Sequence, residues 1–258
     1  MSLDEVSTLI LELPHRELGG KLTPYEDIVK MRKHTKAHSV AFHCDGARIF
    51  EASAGYGKSL KELAEPFDSV YISFYKGLGG MSGAMLMGDC DFCEQARVWL
   101  RRFGGNLFTL MPYIVSAWAG YQRHYKRNDV KHDGSTLMSF GEKRDKLRRI
   151  VESLNANRDF AKVACFEPST PQVNMVHLYL RLSCQECEKI RDQVQESHGV
   201  SIFHRLRPVE EGTSGFREGY RSMMEISVGE ANGAIPDDQW IDSWSSFAKQ
   251  AMEVSTNA

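Results

Sequence analysis

The sequence predicts an α/β fold, with a mostly parallel sheet in a large first domain and a smaller α+β domain after it. Strand-like and helix-like segments alternate from residue 3 to residue 102, the order of a parallel sheet whose helices cover its faces. The strand-like segments are short apolar runs, as expected for strands that are buried on both faces. The pattern changes after about residue 104, and we predict domains at residues 1–140 and 141–258.

The first domain is predicted to begin with a strand within residues 3–13, followed by a loop that contains Gly19, Gly20 and Pro24. Apolar residues at helical spacing among many charges predict an amphipathic helix at residues 25–38. The next predicted elements, in the order strand, helix, strand, strand and helix, lie at residues 39–44, 59–66, 69–74, 83–88 and 91–102.

The second half of the chain begins with a glycine turn and a long, mostly apolar helix within residues 103–125. A charged helix is predicted at residues 139–157. The smaller α+β unit then follows in the order strand, helix, strand, strand and helix, at residues 172–180, 187–198, 200–206, 221–229 and 237–252.

Composition excludes several classes of function. The 258 residues are 42% hydrophobic and 26% charged, which is typical of a globular protein, and the net charge of −2 gives no polyanion-binding surface, so we predict no nucleic-acid partner. No apolar run approaches the roughly 20 residues that a membrane span needs. Because Asp4 and Glu5 come early, the N-terminus does not resemble a signal or transit peptide, and we predict a cytoplasmic protein with no membrane partner.

Four of the six cysteines form two CxxC pairs, Cys90/Cys93 and Cys184/Cys187. Four thiolates are sufficient for a structural zinc site. The two pairs are far apart in the sequence, however, and each lies at the start of a predicted amphipathic helix. We therefore expect reduced thiols and no metal site.

A carboxylate and an amine follow two neighbouring predicted strands. Asp45 follows the strand at residues 39–44, and Lys76 follows the strand at residues 69–74 and precedes a glycine-rich loop. If a right-handed crossover joins these parallel strands, both side chains emerge at the edge where such sheets bind ligands. From this pattern an ion pair that caps two strands is one interpretation. A Schiff-base lysine with an aspartate for a pyridinium nitrogen is the other.

The motifs around these two residues resemble those of the threonine aldolase / β-eliminating lyase family. "HCDGARIFEA" at residues 43–52 and "SVYISFYKGLGG" at residues 69–80 carry the resemblance, and it extends over nearly the whole chain through "LELPHRELGGKLTPYEDI", "RRFGGNLFTLMP" and "TPQVNMVHLYL". It implies the α/β fold of fold-type-I enzymes that use pyridoxal 5'-phosphate (PLP). It also implies a homodimer or homotetramer.

The resemblance implies roles for individual residues. Lys76 matches the lysine that forms the internal aldimine, and Asp45 matches the aspartate under the pyridine nitrogen. Arg48 matches the arginine that binds the substrate carboxylate. His15 matches the histidine near the substrate's β-hydroxyl and is a candidate for proton removal, although a loop histidine alone is more often a local hydrogen-bonding residue.

The lysine's neighbours complete the predicted site. Ser73 is a candidate contact to the cofactor phosphate, with local capping as its alternative. Gly77, Gly79 and Gly80 are predicted to let the loop pass close to the cofactor ring. The implied reaction is the reversible cleavage of a β-hydroxy-α-amino acid, such as L-threonine, to glycine and an aldehyde. The alternatives are another PLP-dependent β-elimination and a shortened, inactive chain.

The chain departs from the family pattern in three ways. No counterpart of the family's long N-terminal segment precedes residue 10, so we expect the phosphate-binding turn and the residue that stacks on the ring to be missing. Where members carry a late-strand arginine for the substrate carboxylate, this chain has Glu225, and Arg16 is the first candidate replacement.

The other candidate replacements for that late-strand arginine are Arg217 and Arg221. The third departure follows the glycine run after the lysine. A phosphate-binding arginine of the family is replaced there by Phe108, with Arg101 or Arg102 as candidate substitutes.

Overall fold

A computed structural model describes residues 6–124, 137–213 and 215–256 of the protein. Its secondary structure confirms the α/β fold. It divides into two compact units. The N-terminal unit comprises Met1–His15 and Leu22–Phe140, and the C-terminal unit comprises Arg16–Lys21 and Gly141–Ala258. The short segment Arg16–Lys21 therefore belongs to the second unit, although it lies early in the sequence.

The N-terminal unit is built on a four-stranded sheet in the order β1-β2-β3-β4. As the sequence predicts, β1, β2 and β3 run parallel, whereas β4 is antiparallel to β3. The segment between β3 and β4 is too short for a crossover, which needs about a dozen residues, so the chain can only turn back. The strands are Thr8–Glu12, Ala41–Gly46, Ser69–Ser73 and Ala84–Met87.

The described part of this unit contains five helices, and the second of them was not predicted from the sequence. It follows β2 directly and buries Ile49, Phe50 and Ala52 in the core. Ser59 and Glu62 form a reciprocal capping box that starts the third helix. Helices α1 to α5 span Tyr25–Ala37, Ile49–Tyr56, Leu60–Ala64, Cys90–Arg102 and Met111–His124.

The prediction that every strand is buried on both faces is wrong for the two edge strands. Ile10 of β1 is 64% exposed, and all four residues of β4 are exposed. Helix α4 buries none of its residues. Together with α5 it presents what we call the 98–118 surface, whose exposed apolar members are Val98, Trp99, Leu100, Phe103, Leu107, Phe108, Leu110, Met111, Ile114, Val115 and Trp118.

The C-terminal unit is an antiparallel sheet in the order β5-β6-β8-β7 with helices packed around a core that contains Trp244. Ser183 and Glu186 form a capping box at the start of α8. Strands β5 to β8 span Ala164–Glu167, Met175–Leu180, Arg207–Pro208 and Ser222–Ser227. Helices α6 to α10 span Phe140–Ala156, Arg158–Val163, Cys184–His198, Glu230–Gly233 and Asp237–Thr256.

Two predictions for this unit need correction. The strand expected at residues 200–206 is absent from this described segment, where Ile202, Phe203 and Leu206 enter the core from irregular backbone. The elements α7 and β5 were missed because residues 158–167 show neither a clear helical nor a clear strand period. None of the helices in the described ranges has the length and the apolar run that a bilayer crossing needs.

The segment Arg16–Lys21 is held to the C-terminal sheet by its charges. Arg16 Nε lies 2.8 Å from Glu225 Oε2, Glu17 Oε2 lies 3.4 Å from the guanidinium of Arg207, and Lys21 pairs with Glu167. Gly19 has a φ of +71°, and a Cβ there would overlap the carbonyl oxygen of Glu167. Glycine is therefore required for this close approach.

Candidate active site

The turn after β2 places Asp45 and Arg48 at the carboxyl end of the sheet. Asp45 Oδ1 accepts a hydrogen bond from the Ala47 backbone N–H at 3.1 Å, which fixes the carboxylate over its own turn. Ser73 Oγ, at the end of β3, donates to the Ala47 carbonyl at 2.8 Å. This bond joins the end of β3 to the turn that carries Asp45 and Arg48. The hydroxyl of Ser73 is buried in this contact, and its predicted role at a phosphate stays a prediction.

Lys76 lies in a tight loop beyond β3. Its carbonyl accepts from the Gly79 N–H at 2.9 Å, and the Gly80 N–H donates to the Phe74 carbonyl at 2.7 Å. Lys76 Nζ lies 5.8 Å from the ring centroid of Tyr75, within reach of a cation–π interaction. The residue as a whole is half-buried.

Gly77 has a packing role in the described structure. A Cβ at this position would overlap Glu51 Oε1 and would come within 2.9 Å of Phe140 Cε1. Glu51 is buried beneath the loop, so the missing side chain at residue 77 makes room for the protein's own residues. Whether it also allows a cofactor ring to approach stays a prediction.

A row of titratable side chains crosses the sheet face that bears Asp45. Glu12 of β1, Asp45 of β2 and Tyr71 of β3 are in register. Burial, the hydrogen bond to Tyr75 and the charge of Asp45 together raise the pKa of Tyr71 to about 12, so its hydroxyl keeps its proton at neutral pH. Sequence analysis missed Glu12 and Tyr71, because only strand register reveals that they lie beside Asp45.

His43 and Ser69 form a second pair, two residues before Asp45 in β2 and two residues before Tyr71 in β3. His43 shares the face of Asp45, since alternate strand residues point the same way, and its Nδ1 lies 2.7 Å from Ser69 Oγ. Burial lowers the pKa of His43, and the nearby charge of Asp45 opposes that shift without cancelling it. The ring is therefore neutral at pH 7.

His15 follows β1 through a turn that is tied to β2. The Leu13 N–H donates to the Asp45 carbonyl at 2.9 Å. His15 Nδ1 lies 3.5 Å from Glu12 Oε2, an ion-pair distance. The structure thus brings five predicted site residues into one unit: Asp45 and Ser73 at the carboxyl ends of β2 and β3, and Arg48, Lys76 and His15 in the segments that follow three adjacent strands.

The remaining predicted site residue, Arg16, belongs to the C-terminal unit. Its guanidinium contacts Glu225 at 2.8 Å and Glu17 at 3.0 Å. The negative charge of Glu225, expected to repel a substrate carboxylate, is therefore paired with an arginine. The other two candidates are paired as well, Arg217 with Glu167 at 2.8 Å and Arg221 with Glu186 at 3.2 Å.

The remaining residues considered in the sequence analysis are Phe108, Arg102 and the cysteines. Phe108 is fully exposed, and Arg102 stacks on Trp99 at 4.7 Å. All six cysteines are free thiols. Burial raises the pKa of Cys187 to about 12, so this thiol keeps its proton.

The chain is similar in sequence to known proteins. Residues 3–182 match the family model described as β-eliminating lyase. Over 131 residues, the chain is 38% identical to the low specificity L-threonine aldolase of Escherichia coli (strain K12), a segment that covers 51% of this chain and 38% of that protein.

Solved structures show the same similarity. A Listeria monocytogenes protein, provisionally described as an L-allo-threonine aldolase, superposes with a TM-score of 0.79 at 31% identity, over 94% of this chain and 61% of that one. A threonine aldolase of Leishmania major, at 14% identity and a TM-score of 0.62, covers 95% of this chain and 61% of that one and supports the fold alone. The chain thus covers less than two thirds of the length of these relatives.

Proposed function

The chain belongs to the β-eliminating lyase family, and from this premise we propose that it is a PLP-dependent lyase of the threonine aldolase type. Its substrate would be a β-hydroxy-α-amino acid such as L-threonine, and its products would be glycine and an aldehyde. The names of its relatives, the low specificity L-threonine aldolase of E. coli among them, support this reaction. Since the chain covers only part of their length, the activity is a proposal for the protein that contains it.

The observation that carries the proposal is the Ser73–Ala47 hydrogen bond, which joins the loop of Lys76 to the turn of Asp45. The donor set fits PLP, because a carboxylate that can face a protonated ring nitrogen lies at the carboxyl end of β2, and an amine that can bind an aldehyde follows the adjacent parallel strand β3. When bound, the cofactor accepts the electrons that are released as the Cα–Cβ bond breaks.

The chain's own residues would bind the substrate and move its proton. Lys76 would hold the cofactor, and Arg48 would bind the substrate carboxylate, since a planar guanidinium matches two oxygens. Arg16 stays the proposed second carboxylate-binding residue, although it would share its charge with Glu225. His15 would remove the β-hydroxyl proton, leaving the carbonyl of the aldehyde, and glycine takes a proton at Cα.

Ser73 and Gly77 keep their predicted places near the cofactor phosphate and ring. Glu225 and the altered loop around Arg16 are the sequence features that keep β-elimination open, and Glu225 is paired with Arg16. β-Elimination and an inactive chain are therefore treated as outcomes of the test below.

The decisive experiment adds PLP, records the visible absorption band, reduces the sample with borohydride and maps the labelled peptide. We expect the label on Lys76, its loss in Lys76→Ala, and no loss in the control Lys61→Ala, which changes an exposed lysine of α3. Aldehyde release from threonine supports the aldolase, and keto-acid release from serine supports β-elimination instead. Absence of label would sink the enzyme proposal for this chain.

We also propose that the protein forms a homodimer or homotetramer. The 98–118 surface carries exposed apolar side chains that include Phe103, Phe108 and Trp118, and large exposed apolar patches mark protein–protein interfaces. Sedimentation velocity should show an oligomer that the pair Phe108→Ser and Trp118→Ser dissociates, and a wild-type monomer would contradict this. The cytoplasmic location predicted from the sequence remains a prediction.

A further inference from the structure

Glu12 and His15 form a carboxylate–imidazole pair at the end of β1. Glu12 Oε2 lies 3.5 Å from His15 Nδ1. This is longer than an ordinary hydrogen bond, but such contacts in ligand-free sites are often long and shorten when the substrate complex forms. From the sequence, His15 is a predicted site residue and Glu12 is not.

The burial of the ring distinguishes its two nitrogen atoms. His15 Nδ1 is inaccessible to solvent, whereas 40% of the side chain is exposed. Nδ1 also has no hydrogen-bond partner in the described structure. Of the two ring nitrogens, Nδ1 is therefore the one closed to a substrate, and Nε2 is the one left to contact it.

We propose that Glu12 is a positioning residue for His15, holding the neutral ring in the tautomer with its hydrogen on Nδ1 and leaving the Nε2 lone pair to take the substrate proton. A carboxylate only accepts hydrogen bonds, so it favours the ring nitrogen that carries a hydrogen. Carboxylates orient imidazoles in this way at metal sites and in catalytic triads. The assignment of the tautomer rests on the geometry alone, and the role of Nε2 rests on the proposed function.

The backbone explains why Glu12 is well placed for this role. The hydrogen bond from the Leu13 N–H to the Asp45 carbonyl continues the pairing of β1 with β2 one residue past Glu12. Glu12 is in register with Asp45, and like charges directly opposite on neighbouring strands repel each other. A contact with His15 gives the Glu12 carboxylate a partner other than Asp45.

The first test needs neither cofactor nor activity. In protein labelled with ¹⁵N-histidine, at a pH where imidazoles are neutral, NMR shifts should place the hydrogen of His15 on Nδ1. In Glu12→Leu, which can neither accept nor donate a hydrogen bond, the preference for the hydrogen on Nδ1 should be lost. The control Glu26→Gln, at an exposed carboxylate of α1, should change nothing. A wild-type hydrogen on Nε2, or an unchanged tautomer in Glu12→Leu, would overturn the assignment.

The second test uses the PLP-loaded protein. Glu12→Leu should lower kcat for threonine cleavage about 10- to 100-fold, as the loss of an orienting partner does elsewhere, with little change in KM. Glu12→Asp, which keeps the charge, should recover part of the rate, and Glu26→Gln should match wild type. A tautomer shift with unchanged kcat would overturn the role of Nε2. If Lys76 takes no label, the proposed function fails, and the NMR experiment still decides the positioning of His15.

Discussion

The two units differ in how completely they bury their apolar side chains. In the C-terminal unit, Trp244 is fully buried among aromatic neighbours, with Phe160, Phe203 and Phe247 at ring-centroid distances of 5.3 to 6.2 Å. In the N-terminal unit, Trp118 is 60% exposed within the 98–118 surface. Among the described residues, the C-terminal unit therefore closes its core with its own side chains, whereas the N-terminal unit presents apolar surface that another chain can cover.

The largest expected effect compares one tryptophan from each unit. Trp244→Ala should lower the free energy of unfolding by about 3–5 kcal/mol, because it opens a cavity in a packed aromatic core. Trp118→Ala should cost the monomer less than about 0.5 kcal/mol, since an exposed side chain loses few contacts. Denaturant titration at a protein concentration that keeps the chain monomeric measures both. Equal losses at the two positions would break the contrast.

A second prediction concerns the loop of Lys76, where the N-terminal unit is tightly packed. Gly77→Ala should destabilise the protein by about 1–3 kcal/mol, because the new methyl group meets Glu51 and Phe140. Shortening the buried side chain should relieve the overlap, so the double variant with Glu51→Ala should lose less than the sum of the two single variants. Thermal and denaturant unfolding test both statements. If the two losses of unfolding free energy simply add in the double variant, the new methyl group at residue 77 does not clash with Glu51.

The smallest effect compares two histidines whose pKa is lowered by burial, the half-buried His43 in the N-terminal unit and the buried His177 in the C-terminal unit. Burial lowers the pKa of both, and the opposing charge of Asp45 or Glu225 does not cancel it. Below the ordinary histidine pKa of about 6.5, the unfolded chain binds protons that the folded protein does not, so stability must fall as pH falls.

The loss cannot exceed about 1.4 kcal/mol per pH unit for each histidine. Unfolding free energies measured between pH 8 and 5.5 should decline less steeply in His177→Gln and in His43→Gln than in wild type. His34→Gln, at an exposed histidine of α1, should keep the wild-type slope. A parallel decline in all four proteins would remove the histidines as its source.

Local sequence predicted the parts of the fold that depend on local pattern. The apolar runs of β2 and β3 and the polar residues after them predicted the parallel strands correctly and placed Asp45 at a strand end. Irregular backbone is harder to predict, because Ile202 and Phe203 are apolar enough for a strand and are buried without forming one. An apolar run indicates that its side chains are buried. Whether the run forms a strand depends on backbone hydrogen bonds to a neighbouring strand.

Parts of the candidate site depend on distant partners and were beyond sequence reasoning. The sequence identified Glu225 as a departure from the family pattern, but its contact with Arg16 joins residues 209 positions apart. The positions of Glu12 and Tyr71 beside Asp45 follow from strand register, which the flanking residues do not specify. The predicted site residues carry a local motif, whereas the residues around them are assembled by tertiary contacts.

The early segment Arg16–Lys21 also has a consequence for synthesis on the ribosome. Glu17 and Arg16 find their partners 190 and 209 residues later, at Arg207 and Glu225. As the chain is translated from its N-terminus, Arg16 and Glu17 must wait until Arg207 and Glu225 have emerged before they can reach these partners. Nascent chains arrested before residue 225 should therefore keep the segment more open to proteases, and synthesis of β8 should protect it.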